Sequence, residues 1–136
     1  MTTRRLTLVV EDDPSLFRAM ASELRRMGFD VLGAATYDAA LDHLEARVPH
    51  LICVDVGLPI QSGYELCEHI RGPLGLDVPI LVTADSGGVD DMANAEAAGA
   101  SAFLKKPFTM RQLASYVLLL IGPAPRELPR GPRISP

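Results

Sequence analysis

The chain has 136 residues, 48% of them apolar and none of them tryptophan, which is the size of one domain with enough apolar volume for a single filled core. Its formal charge of −4 divides unevenly. Residues 1–121 hold 10 Lys and Arg against 16 Asp and Glu, while the last fifteen residues carry Arg126, Arg130 and Arg133 against Glu127 alone. So acidic a body excludes a broad electrostatic footprint for nucleic acid. The missing signal-peptide core and the lack of any apolar run near about 18 residues point to a cytoplasmic chain without a membrane span.

In chain order, five short β-like runs alternate with five helical stretches, the pattern of a doubly wound α/β sheet. Leu6–Val10 is continuously apolar except for Thr7, as a central strand covered on both faces should be. Asp13 and Pro14 then supply an N-cap and a first-turn proline for a helix carrying Phe17, Met20, Leu24 and Met27 at helical spacing. Gly28 stops it. Asp30–Ala34 is mixed in polarity and reads as an edge strand, and Thr36 caps a second helix with Leu41 and Leu44 on its inner face. Leu51–Asp55 is the third strand. Ser62 and Glu65 have capping-box spacing ahead of Leu66 and Ile70. Ile80–Thr83 is the fourth strand, Gly87-Gly88 loosens the loop behind it, and Gly99 ends the fourth helix. Ala102–Leu104 is the last strand, and Thr109 with Gln112 repeats the capping box before Leu113, Val117 and Leu120. From Gly122 onward, five prolines and two glycines in fifteen residues read as a flexible tail or linker stub behind a domain of residues 1–121.

Ligands of an open parallel sheet sit beyond the carboxyl ends of its strands. Glu11, Asp12 and Asp13 end the first strand, Asp55 the third and Thr83 the fourth, and Lys105 and Lys106 follow the fifth. Two carboxylates about 4 Å apart repel by roughly 4 kcal/mol at an effective dielectric near 20, so such a cluster calls for a cation. An all-oxygen donor set with no His or Cys nearby suits Mg²⁺, with Mn²⁺ as a substitute, better than Zn²⁺. Phosphoryl transfer then needs its equatorial oxygens neutralised. The metal, the Lys106 ammonium and the Thr83 hydroxyl cover one each, and backbone N–H groups after Asp55 add donors. Cys53 and Cys67 lack ligand spacing and lie in apolar patterns, so both read as buried thiols. His43, His50 and His69 are scattered.

Four segments resemble the receiver domains of bacterial two-component response regulators: Leu8-Val9-Val10-Glu11-Asp12-Asp13-Pro14, Asp55-Val56-Gly57-Leu58-Pro59-Ile60-Gln61-Ser62-Gly63, Val82-Thr83-Ala84, and Phe103-Leu104-Lys105-Lys106-Pro107-Phe108. The resemblance implies a CheY-like fold with strand order 2-1-3-4-5. It implies a phosphoryl group accepted on Asp55 from a histidine kinase or phosphotransfer protein, self-catalysed transfer and hydrolysis, and no classical enzyme activity. By position, Asp12 and Asp55 are direct Mg²⁺ ligands, Glu11 acts through water, and Gly57 offers its backbone carbonyl. Thr83 matches the switch hydroxyl and Phe103 the aromatic switch position. Lys106 matches the conserved lysine, followed by a cis bond to Pro107. The face of the fourth helix, fifth strand and fifth helix is the expected partner or dimer surface, and Tyr116, Leu118 and Leu119 suit it.

Three other readings compete. An aspartyl-nucleophile phosphatase would carry a second Asp where Gly57 stands, and an FMN carrier would need a phosphate loop rather than acids after the first strand. A receiver that binds partners without phosphorylation would have no need of the acids, Thr83 and Lys106 together.

Overall fold

Apolar runs that are too short for helices and too long for turns become five parallel strands. The computed structural model describes residues 4–85 and 89–123. Its strands are β1 (Arg5–Val10), β2 (Phe29–Ala34), β3 (Leu51–Asp55), β4 (Ile80–Ala84) and β5 (Ala102–Lys105), in the order β2-β1-β3-β4-β5. The interleaved helices are α1 (Pro14–Arg26), α2 (Tyr37–Ala46), α3 (Gly63–Arg71), α4 (Val89–Ala97) and α5 (Met110–Ile121). Gly87, Gly88 and residues 124–136, where the looser loop and most of the expected tail fall, lie outside the described residues.

Strand alternation divides the core into two layers. Leu8, Val10, Ile52, Val54, Ile80 and Val82 pack with Leu44, Leu66, Ile70 and Ala95 of α2, α3 and α4. Val9, Leu51, Cys53 and Leu81 point the other way, onto Met20 and Leu24 of α1 and Leu113 and Val117 of α5. The three central strands are buried almost throughout, whereas β2 has exposed positions, as its mixed sequence predicts for an edge. Each fully buried Leu, Ile or Val contributes about 1.5–3 kcal/mol relative to exposure.

Local signals fix the helix ends. Asp13 Oδ1 accepts from Ser15 N at 3.0 Å with Pro14 at the first helical position, and Thr36 Oγ1 accepts from Ala39 N at 3.1 Å. The capping box at Thr109 and Gln112 is complete. At α3 only the forward bond forms, Glu65 N to Ser62 Oγ at 3.3 Å, so the expected box there is a simple N-cap. Gly28 and Gly99 end α1 and α4 with φ of 101° and 99°, a conformation that costs a side-chain-bearing residue steric strain.

Arg71 makes a junction that its position in the sequence does not announce. Its guanidinium donates to the carbonyls of Gly99 (2.9 Å), Leu76 (2.8 Å) and Val78 (2.7 Å). It thereby ties the end of α3 to the segments that lead into β4 and β5. The histidines are accounted for locally: His50 Nδ1 accepts from Leu6 N, His43 Nε2 lies 3.0 Å from Gly33 O, and His69 packs edge-on against Tyr37.

Candidate phosphoryl-transfer site

Parallel strands that end at one edge carry their last side chains to one mouth. Glu11 follows β1, with its N–H donating to Ala34 O at 2.9 Å. Asp55 is the last residue of β3 and stands in register with Thr83 of β4. Lys106 follows β5, its N–H bonded to Ala84 O at 2.7 Å, and the Lys106–Pro107 bond is cis. Glu11, Asp12 and Asp55 bring one carboxylate oxygen each within 4.8 Å of one another, two of them buried and Asp12 exposed.

The Lys106 ammonium spans the buried pair. Its Nζ lies 3.1 Å from Glu11 Oε1 and 3.2 Å from Asp55 Oδ1. Burial alone pulls the lysine pKa down, but the bond to Glu11 and the field of Asp55 outweigh it and the net shift is upward, so the ammonium stays charged. Glu11 is pushed up to about 7, chiefly by desolvation, with Asp55 adding to the rise and the Asp13 backbone N–H and Lys106 opposing it. Glu11 Oε2 accepts from Asp13 N at 3.1 Å, while buried Oε1 is an ion-pair partner of Lys106 that forms no hydrogen bond. Three carboxylates facing this single ammonium leave net negative charge at the mouth, which fits a hard divalent cation.

The backbone after Asp55 differs from the sequence expectation in one respect. Val56 N–H is spent on Thr83 O at 2.9 Å, so it is no donor to a ligand. Gly57 N–H points at Asp55 Oδ1, 3.1 Å away. Asp55 Oδ1 therefore has two partners, Gly57 N–H and Lys106, and Oδ2 has none among the described contacts.

Gly63 has a role that the motif alone does not explain. A Cβ there would lie 2.3 Å from Asp55 O and 2.8 Å from Val54 Cγ1, so only glycine lets α3 start against the end of β3. Thr83 is buried beside Asp55. Phe103 is not in the acid cluster; it pairs with Val82 and half-buries in a cleft of about 510 Å³ between α4 and β5, lined also by Met92, Ala95, Glu96 and Ala100. Another cleft of about 430 Å³ opens at the mouth between Asp13, Leu16, Asp85, Lys106, Pro107 and Phe108. Cys53 and Cys67 are buried, and desolvation pushes both thiols up to about 12, which keeps them protonated at neutral pH.

Fold and site define a doubly wound α/β domain with carboxylates and an ammonium converging at the carboxyl edge of its sheet. The sequence profile of the response regulator receiver domain matches residues 7–118. The DNA-binding response regulator MtrA of Mycolicibacterium smegmatis is 33% identical over 116 residues, covering 85% of this chain and 50% of that one. The regulatory protein PhoP of Bacillus subtilis, named for alkaline phosphatase synthesis, is 32% identical over 84% of this chain and 47% of its own. Among solved structures, the chemotaxis response regulator CheY4 of Vibrio cholerae superposes with a TM-score of 0.82 at 25% identity, over 87% of this chain and 99% of that one. A CheY-like receiver domain protein of Methanospirillum hungatei gives 0.76 at 26% identity, over 85% and 91%. The chain belongs to the response regulator receiver domain family. It spans about half the length of the curated relatives it matches.

Proposed function

We propose that this domain is a working phosphoacceptor, taking a phosphoryl group on Asp55 from a histidine kinase or histidine phosphotransfer protein. The observation that carries this reading is the convergence of Glu11, Asp12 and Asp55 within 4.8 Å, with Lys106 Nζ 3.2 Å from Asp55 Oδ1. Asp55 Oδ2 is the oxygen free to attack phosphorus; the phosphorus–nitrogen bond to the donor imidazole breaks as the acyl phosphate forms, and the imidazole leaves with its electron pair. Lys106 neutralises one equatorial oxygen, and the hydroxyl of Thr83, next to Asp55 in the sheet, is assigned a second.

Asp12 and Asp55 would hold Mg²⁺ or Mn²⁺ directly, with Gly57 through its carbonyl and Glu11 through water, and the ion would supply charge neutralisation between carboxylates and phosphoryl oxygens. The chemistry is confined to self-catalysed transfer and hydrolysis. The added charge, about −1.5 to −2, biases the loops around Thr83, with Phe103 as the second switch element in the α4–β5 cleft. Exposed Met92, Leu118 and Leu119 mark the α4–β5–α5 face as the surface for an effector or a second copy. With an acidic body, the domain itself is assigned no nucleic-acid contact. Among the described residues no helix is long and apolar enough to cross a membrane, and the proposed setting is the cytoplasm.

Intact mass after incubation with Mg²⁺ and acetyl phosphate tests this. The expected result is one added phosphate, absent from Asp55→Asn and from a Mg²⁺-free sample. A chain that binds Mg²⁺ and takes no phosphate would instead be a phosphorylation-independent interaction module.

A further inference from the structure

Small side chains fasten α4 to the sheet. Among its described side chains only Ala95 is buried, and Met92 stays 53% exposed. Alanine methyls do not fill the space between a helix and a strand, and the cleft of about 510 Å³ between α4 and β5 is the result. That volume falls in the range of about 300–1,000 Å³ typical of ligand pockets. Its lining is mostly alanine with Met92 and Phe103, and Glu96 is the one charged group on it. The cleft reaches the amino edge of the sheet through Ala100 and Ser101, which precede β5. α5 ends at that same edge, where the guanidinium of Arg5, the first residue of β1, donates to Gly122 O at 3.0 Å. Whatever follows Gly122 in the chain therefore starts close to the open end of the cleft.

We propose that this cleft is the docking site of the chain's own segment 126–130, with Leu128 seated on the apolar lining and the flanking arginines meeting Glu96. Sequence, reach and charge carry the assignment. Leu128 stands between Arg126 and Arg130, an apolar anchor with a cation on either side, which complements an apolar cleft that holds a single acid. Leu128 is the sixth residue after Gly122, and six residues span up to about 20 Å. Residues 1–121 hold 10 Lys and Arg against 16 Asp and Glu, whereas the last fifteen hold three Arg against one Glu, so the two parts attract. A tether this short sets an effective concentration of about the millimolar range, at which a weak contact suffices. Pro123, Pro125 and Pro129 restrict the chain around the anchor and lower the entropy lost when it is held. The docked segment covers Met92 and the cleft side of Phe103, so an effector or second copy on the α4–β5–α5 face has to displace it. This autoinhibitory contact stands apart from the phosphoacceptor role of Asp55.

Limited trypsin digestion of the full chain tests this, with cleavage after Arg133 followed by intact mass at early times and thermal melts verifying the fold. Leu128→Ser removes the anchor and Glu96→Lys reverses the charge in the cleft. Either should speed the cleavage about fivefold, because proteolysis follows the population of the released segment. Glu68→Lys makes the same charge change at an exposed position of α3 and should leave the rate at the wild-type value. Arg126→Glu with Arg130→Glu, placed on the Glu96→Lys background, should bring the rate back toward wild type. Amide exchange at 100–103 should quicken in Leu128→Ser, a variant whose only change lies in the segment and not in the cleft. Equal cleavage rates in wild type, Leu128→Ser and Glu96→Lys overturn the inference. So does an equal rise in Glu68→Lys, which would reduce the effect to net charge.

Discussion

At the residue scale, the loop after Asp55 holds two backbone features with opposite consequences. Pro59-Ile60-Gln61 closes a tight turn, with Gln61 N donating to Pro59 O at 2.8 Å and Ile60 at φ 70°. A β-branched residue there is strained, and Ile60, fully exposed, recovers nothing by packing. Replacing it with glycine should stabilise the fold by about 1 kcal/mol, read as a higher urea midpoint at unchanged slope. An unchanged or lower midpoint would show that the strain is not in the native loop. Gly63 is the reverse case. Gly63→Ala forces a methyl into Asp55 O and should cost about 1–3 kcal/mol while also slowing acetyl phosphate labelling, because relief of the clash moves the end of β3. A variant of wild-type stability and labelling rate would refute that account.

At the element scale, the sheet positions its chemistry by register. Asp55 opposite Thr83, and Thr83 opposite Leu104, put β3, β4 and β5 in step, so that Lys106 arrives beside Asp55 two residues after Leu104. That register is guarded at the far edge of the sheet by Arg71, whose guanidinium gathers carbonyls from the α3–β4 and α4–β5 connections. Arg71→Met keeps much of the stem but leaves those carbonyls to water or unpaired, and should destabilise by about 2–3 kcal/mol in a denaturant titration. Arg71→Lys should recover only part, since a point ammonium cannot satisfy the forked arrangement. Full recovery by lysine would reduce the interaction to simple charge.

For the whole molecule, two core layers on one sheet leave the carboxyl edge as the place where charge is concentrated. An ion bound only by the folded chain stabilises it by mass action, about 2.7 kcal/mol at a hundred times its dissociation constant. Saturating Mg²⁺ should therefore raise the thermal midpoint of wild type, and the rise should vanish in Asp12→Asn, which keeps the buried Glu11, Asp55 and Lys106 arrangement and removes the exposed ligand. Equal rises in both proteins would place the bound ion elsewhere.

The alternation of apolar runs and helical stretches, the caps at Asp13, Thr36 and Thr109, the stops at Gly28 and Gly99, and the acids and lysine at the strand ends were all readable in the sequence alone. Each is a local pattern whose physics acts within a few residues. What only the tertiary structure decided is nonlocal: that Val56 N–H is consumed by Thr83, that Gly63 is demanded by a neighbouring carbonyl whereas Gly57 is not, and that Arg71 joins two connections. Phe103 belongs with these, since it lies in the α4–β5 cleft rather than among the acids. Sequence spacing specifies which residues reach a strand end, but not which hydrogen bonds are already spent or which glycine a neighbouring carbonyl demands. Those depend on atoms contributed by segments distant along the chain and packed at a register that the whole sheet fixes together.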